Sequence, residues 1–198
     1  MNSGDSKLKY KVLLGILLIG LVVSLGAAGY FYALMNDRQA QINNLLSRTI
    51  LTYAREISFA GYLLRNATTN IAVADASSLL MTSRQTADTA WIYDSQTVYL
   101  YMAEAAGLVE ENLAPYCEGA PTSLNFVNQT AVEMFAVLYT KIQNLTRPIL
   151  DIWELEHPEG RDPIDLFNER GLTQGIVDNC SDVMDYSFEI DSLSPKFE

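Results

Sequence analysis

Val12–Met35 reads VLLGILLIGLVVSLGAAGYFYALM and decides the fold of this chain, because the stretch carries no charged side chain. As an α-helix it would rise about 36 Å, at about 1.5 Å per residue. The hydrocarbon core of a bilayer is about 30 Å thick, and a helix satisfies its own backbone hydrogen bonds there. The stretch therefore predicts one transmembrane helix over residues 12–35.

The charges beside this stretch predict its orientation. Lys7, Lys9 and Lys11 precede it with one acidic residue against them, whereas Asp37 and Arg38 cancel each other after it. Positive charge tends to stay on the cytoplasmic side. We therefore expect residues 1–11 in the cytoplasm and residues 36–198 outside it, with the chain held in the cell membrane.

A cleaved signal peptide is the alternative interpretation. Gly26-Ala27-Ala28 is a small-residue site of the kind that signal peptidases cut. However, the apolar stretch continues beyond it through Gly29–Met35, and no polar region precedes the site. We therefore expect a retained anchor, and either interpretation places the rest of the chain outside the cytoplasm.

The outer part is acidic and large enough for one domain. The whole chain has 24 acidic and 13 basic residues, and setting aside the four charged residues before the span leaves 23 acidic against 10 basic. Such a surface favours solubility and argues against a nucleic-acid partner, which would need a basic patch. About 160 residues can bury a real hydrophobic core.

The two cysteines, Cys117 and Cys180, both lie in the outer part. An oxidising compartment favours their pairing. Since there are only two, an intramolecular disulfide has one possible connectivity. We therefore predict a Cys117–Cys180 disulfide.

Four Asn-x-Ser/Thr sequences predict possible N-glycosylation in an exported chain. They begin at Asn66, Asn128, Asn144 and Asn179. Modification also depends on the organism, which the sequence does not name.

Apolar spacing predicts an all-α fold: a transmembrane helix that runs into a bundle of about four to five helices over residues 36–188, followed by a tail over residues 189–198. From Ile42 to Ile71 the apolar positions alternate by three and four, which marks one buried helical face. Asn66–Asn70 is made of weak helix formers, so the first helix either ends there or runs on through Ala72–Leu80. Similar residues predict a break near Thr82–Thr89. A further helix is expected over Ala90–Leu113.

Turn residues at Ala114–Ser123 predict a loop, after which Ser123 should cap a helix that starts at Leu124. Pro148 predicts a kink in that helix or a new start capped by Thr146. Asp162-Pro163 is typical of a helix N-terminus and predicts a short helix that ends at Gly171. Thr173 should cap the last helix.

Candidate chemical sites are few. His157 lies among carboxylates and could bind a metal, although a solvated helix end is the interpretation that we favour. Asp178, Asp182 and Asp185 share a helical face without a calcium-loop pattern, which favours a solvated face. The sequence has no Gly-x-Ser-x-Gly and no glycine-rich phosphate loop, so we expect neither catalysis nor a bound cofactor or metal.

Two functions fit these features. The first is a structural or interaction subunit of a membrane or cell-surface assembly, with a protein partner or a second copy of the chain. The second is an extracytoplasmic ligand-binding sensor. The basic N-terminus, single span and long helix resemble the start of a bacterial or archaeal chemoreceptor over about the first third of the chain. No second span or output domain follows, so such a sensor would signal through a partner protein.

We predict that the mature protein keeps Val12–Met35, because the apolar stretch continues past the small-residue site at Gly26-Ala27-Ala28 and no polar region precedes that site. Mass spectrometry of the purified chain should give an intact mass that includes residues 12–35. An N-terminus at Gly29 would contradict the retained anchor.

Overall fold

The computed structural model describes residues 3–120, 122–156 and 160–192. Over this part the chain is all-α, as predicted, and it contains no strand. The helices are α1 (Ser3–Arg65), α2 (Asn70–Tyr93), α3 (Thr97–Leu113), α4 (Gln129–Glu156), α5 (Pro163–Glu169) and α6 (Thr173–Asp191), with a short 3₁₀ helix, Ala114–Cys117, after α3. The described residues form six α-helices in place of the expected four to five, because Asn70–Tyr93 forms a helix of its own. The chain divides into two units, residues 1–41 and 42–198.

The first unit consists of the early part of α1. Every residue from Leu13 to Met35 is exposed in it, and this helix is the one among the described residues that is long and apolar enough to cross a membrane. The exposed side chains are large and aliphatic or aromatic, including Leu17, Val22 and Phe31.

The later part of α1 contributes one face to the core of the second unit. Ile50, Ile57 and Leu64 are completely buried, which confirms the predicted apolar face. Tyr53 is buried with them, and its hydroxyl donates a hydrogen bond of 2.9 Å to the carbonyl of Met102 in α3. The helix ends at Arg65, directly before the predicted weak point.

The break predicted at Thr82–Thr89 is wrong, because α2 runs through it. The hydroxyls there donate to the carbonyl four residues earlier and so stay within the helix; they belong to Thr82, Ser83, Thr86 and Thr89. Ser83 and Ala87 are also buried. Core packing therefore overrides the weak helix propensity, and the turn comes at 94–96.

Asn70, the first residue of α2, holds the loop that precedes α4. Its side chain is buried and donates to the carbonyls of Glu118 (2.8 Å) and Ser123 (3.0 Å), while its Oδ1 accepts from the amide of Asn125 (3.1 Å). These bonds satisfy a polar group that would otherwise be costly to bury. They fix this loop against the start of α2.

The fourth helix starts later than predicted. Asn128 caps it, since its Oδ1 accepts from the amide of Ala131 at 2.8 Å, whereas Ser123 closes the preceding turn on the carbonyl of Gly119. The helix continues through Pro148 without a new start. Pro148 has no N–H to offer the carbonyl four residues back, and that carbonyl, of Asn144, instead accepts from Nδ2 of Asn179 in α6 at 3.3 Å.

The last two helices follow the prediction in part. Asp162 caps α5 through the amide of Ile164 (2.8 Å), and Gly171 has the positive φ of 65° that ends a helix. Thr173 does not cap α6; its hydroxyl donates to Oδ1 of Asn168.

The helix α6 also extends into the segment predicted as a tail. It runs to Asp191, and Ile190 near its end is buried. The carbonyl of Ile190 accepts from the hydroxyl of Tyr116 at 2.7 Å, which explains why the helix continues. Residues 193–198 lie outside the described residues.

We predict that Gly61→Val lowers the free energy of unfolding by about 1–3 kcal/mol. A Cβ at Gly61 would lie 3.2 Å from Cγ2 of Ile142 and 3.3 Å from Cδ2 of Tyr139, so a larger side chain would push α1 and α4 apart. Gly175→Val is the matched control, because a Cβ there meets nothing within 4 Å. It should change stability by less than about 0.5 kcal/mol. Equal effects in chemical denaturation would contradict this packing.

Candidate functional site

An open groove of about 780 Å³ runs along α4. Its other wall is the segment that joins α5 to α6. The residues that line it are Tyr139, Gln143, Asn144, Arg147, Pro148, Asp151, Ile152, Leu155, Arg170 and Leu172. Small-molecule sites commonly have volumes of about 300–1,000 Å³, so the groove is large enough for such a ligand.

Two arginines give the groove its positive charge. Arg147 Nε lies 3.9 Å from Oδ2 of Asp151, but the two side chains are 80% and 56% exposed, so this pair is weak. Arg170 comes from the end of α5, and Gly171 with its positive φ turns the chain so that Leu172 also reaches the groove. The guanidinium groups suit an anionic group of a ligand.

Part of the groove lining is apolar. It comes from Pro148, Ile152, Leu155 and Leu172, and Leu155 has 82% of its surface exposed. No histidine, cysteine or serine is among the described residues that line it. The groove therefore offers guanidinium groups for an anionic part of a ligand and apolar side chains for another part.

The groove was not predicted from the sequence. Arg147 lies in α4, whereas Arg170 directly follows α5. Only the fold brings them together, through Gly171 and the contact between Asn144 and Asn179. The one local clue was Pro148 within an otherwise regular helical pattern.

The predicted disulfide is absent, since Cys117 and Cys180 are free thiols. Tyr116, next to Cys117, bonds to Ile190, and Cys180 lies ten residues before Ile190, which is about 15 Å along the helix. A disulfide needs Cα atoms within about 7 Å. The register of α6 therefore places Cys180 elsewhere, buried near Tyr53, whereas Cys117 faces Ser77.

The four predicted glycosylation sites differ in their surroundings. Asn66 lies exposed in the turn after α1, and its Nδ2 donates to the carbonyl of Tyr62. Asn128 is the half-buried cap of α4, while Asn144 and Asn179 lie within helices. Glycosylated asparagines are expected in surface loops, so Asn66 is the best placed, and its modification stays a prediction.

The predicted acidic face is present on α6. Asp178, Asp182 and Asp185 are all exposed, and Asp182 Oδ2 lies 3.9 Å from Nζ of Lys141. Within the described ranges, no three histidine, cysteine or acidic side chains are placed to hold a metal ion. His157 lies outside the described residues.

Comparison with protein-family models, with curated proteins and with solved structures finds no match to this chain.

We predict that both thiols react with an alkylating reagent in the unfolded chain without prior reduction. In the folded protein Cys117 should react first, because it is half-buried, whereas Cys180 is fully buried. Burial raises the pKa of both thiols, so the reactive thiolate is scarce at neutral pH and labelling of Cys117 should accelerate as pH rises. Intact mass measures the labels.

The control for this labelling is Cys117→Ala, which should leave a single label after unfolding. A chain that takes no label until it has been reduced would restore the disulfide interpretation.

Proposed function

We propose that this protein is a single-pass membrane protein whose outer helical bundle acts as a structural or interaction subunit of a membrane or cell-surface assembly. The main evidence for a membrane anchor is the run of exposed apolar side chains from Leu13 to Met35. Uncovered apolar surface of this extent is unfavourable in water. A bilayer provides the apolar surroundings that it requires.

The flanking charges support the orientation. Lys7, Lys9 and Lys11 favour a cytoplasmic N-terminus, and nothing comparable follows Met35. Tyr30, Phe31 and Tyr32 suit the interface between lipid and water at the other end of the span. Residues 36–198 would then lie outside the cytoplasm.

Exposed aromatic side chains on the second unit support a role in binding proteins. Phe59, Tyr62 and Phe188 each have 53% of their surface exposed, and Ile92 has 72%. Aromatic and arginine side chains are common anchors of protein interfaces. Such a surface favours a subunit of an assembly, in which a partner would cover these side chains, over an isolated protein.

A ligand-binding sensor is the second candidate, and the groove on α4 favours it. Arg147 and Arg170 could hold an anionic group while Leu172 and Ile152 contact an apolar part. In this role the bundle would pass its signal to a partner protein.

We predict that the full chain stays with membranes after alkaline carbonate extraction and that added protease cleaves residues 36–198 from outside. Leu17→Arg with Val22→Arg is the control, because each arginine near the centre of a span costs about 2.5–3.5 kcal/mol. This variant should be released. Release of the unmodified chain would refute the anchor.

Gentle solubilisation of the same membranes then separates the two roles. A stoichiometric co-purifying chain, either another protein or a second copy, supports the subunit. A monomer whose melting temperature rises with anionic amphiphiles, and no longer does so in Arg147→Gln with Arg170→Gln, supports the sensor.

A further inference from the structure

The side of α1 that faces away from the core carries arginines and aromatic rings. We define the α1 outer face as Arg48, Thr52, Arg55, Phe59 and Tyr62. Their spacing of four, three, four and three places them in one stripe on the helix, and all five are exposed. The rings of Phe59 and Tyr62 stack with their centroids 6.3 Å apart and their planes at 10°.

This face is positive although the chain is acidic. Neither Arg48 nor Arg55 forms an ion pair within the described residues, and the face itself contains no carboxylate. The whole chain has a net charge of −11. A basic and aromatic stripe on such a chain fits an acidic helix of a binding partner.

A helix with that chemistry is present in the chain itself. We define the α6 outer face as Asp178, Asp182, Asp185 and Glu189, which are spaced by four, three and four and are all exposed. Phe188 stands beside them, 53% exposed. The two faces therefore have opposite charge, the same helical spacing and an aromatic contribution each.

Contacts through α4 show that α1 and α6 run in the same direction. Arg65 lies over the ring of Tyr139, and Gln143 donates to the hydroxyl of Ser58, so α4 is antiparallel to α1. Asn179 bonds to the carbonyl of Asn144 and Lys141 approaches Asp182, so α6 is antiparallel to α4. Two antiparallel relations make α1 parallel to α6.

The same contacts give the level of each residue along the bundle. Ser58 and Asn179 lie at about the same height along the bundle axis, since they form hydrogen bonds with the adjacent residues Gln143 and Asn144 of α4. With a rise of about 1.5 Å per residue, Arg55 and Asp178 then differ in level by about 3 Å. Tyr62 and Asp182 differ by only about 1.5 Å.

We propose that the α1 outer face of one copy of this chain binds the α6 outer face of a second copy. Two copies side by side, with no shift along their helices, place Arg55 opposite Asp178 and the Tyr62 hydroxyl opposite the carboxylate of Asp182. This inference rests on the proposed membrane anchor, which gives all copies the same direction.

The contact joins two different faces, because the α1 outer face and the α6 outer face belong to different helices of each copy. Such a heterologous contact generates a ring if the rotation closes and an open row if it does not. A symmetric contact through the α1 outer face alone would oppose arginine with arginine, so the complementary pairing is the favoured one.

Charge reversal in the full chain, reconstituted in neutral lipid vesicles, tests the contact. Energy transfer between chains labelled at the N-terminal amine measures association. R55E and D178R reverse the pair that the contact brings together; each should weaken association about tenfold or more, and an equimolar mixture of the two variants should restore it. D75R/E104R is the matched control, since both residues are exposed on other helices, and it should associate like the unmodified chain.

The outcomes separate this inference from the proposed anchor. Loss of the unmodified chain from carbonate-washed vesicles would refute the anchor. A retained chain that stays monomeric, reversals without effect, or a mixture that does not recover would each refute the contact alone.

A second measurement keeps the test valid if a reversed variant misfolds. Chains carrying Arg55→Cys are mixed with chains carrying Asp178→Cys, and a disulfide-linked pair of the two under oxidation supports the contact. Its absence, with the same cysteines reactive toward a maleimide, refutes it.

Discussion

Uncovered apolar surface is the constraint on which the organisation of this chain depends. From Leu13 to Met35 every side chain of α1 is exposed, and nothing in the described part of the chain covers them. Hydrophobic burial is the main favourable contribution to folding, so a segment of this kind needs apolar surroundings from outside the chain. The second unit meets its own requirement internally, since the later part of α1 buries Ile50, Ile57 and Leu64 there.

Hydrogen bonds to buried polar groups give the second unit its specific arrangement. Tyr53 ties α1 to α3, Asn70 holds the loop before α4, and Tyr116 fixes the end of α6. Each of these side chains is buried and hydrogen-bonded, so loss of its partner would leave a costly unsatisfied group. Apolar packing alone would allow helices to slide, whereas these bonds specify their register.

Regular apolar spacing and strong end signals made most helices predictable, as for the Ile42–Leu64 stripe and the Asp162 cap. Helix propensity led to a wrong prediction of a break at Thr82–Thr89. The burial of Ser83 and Ala87, which keeps the helix intact there, depends on tertiary contacts that a local sequence pattern does not contain. The prediction of a disulfide was wrong for a similar reason. An oxidising compartment and a pair of cysteines do not determine the register of α6, which sets the distance between Cys117 and Cys180. The groove could not be predicted, since Arg147 and Arg170 line the same groove only after α5 and α6 have packed.

The bond from Asn179 to the carbonyl that Pro148 leaves free has a consequence for biosynthesis. Nδ2 of Asn179 is the donor in that bond, and it is also the atom to which an N-linked sugar would be attached. A sugar would leave this nitrogen one N–H, but its bulk would lie beside the contact of α6 with α4, so docking of the two helices and modification of Asn179 hinder each other. If the chain is exported to a glycosylating compartment, folding before modification would leave Asn179 unmodified, and a sugar at position 179 would show that modification came before the docking of α6.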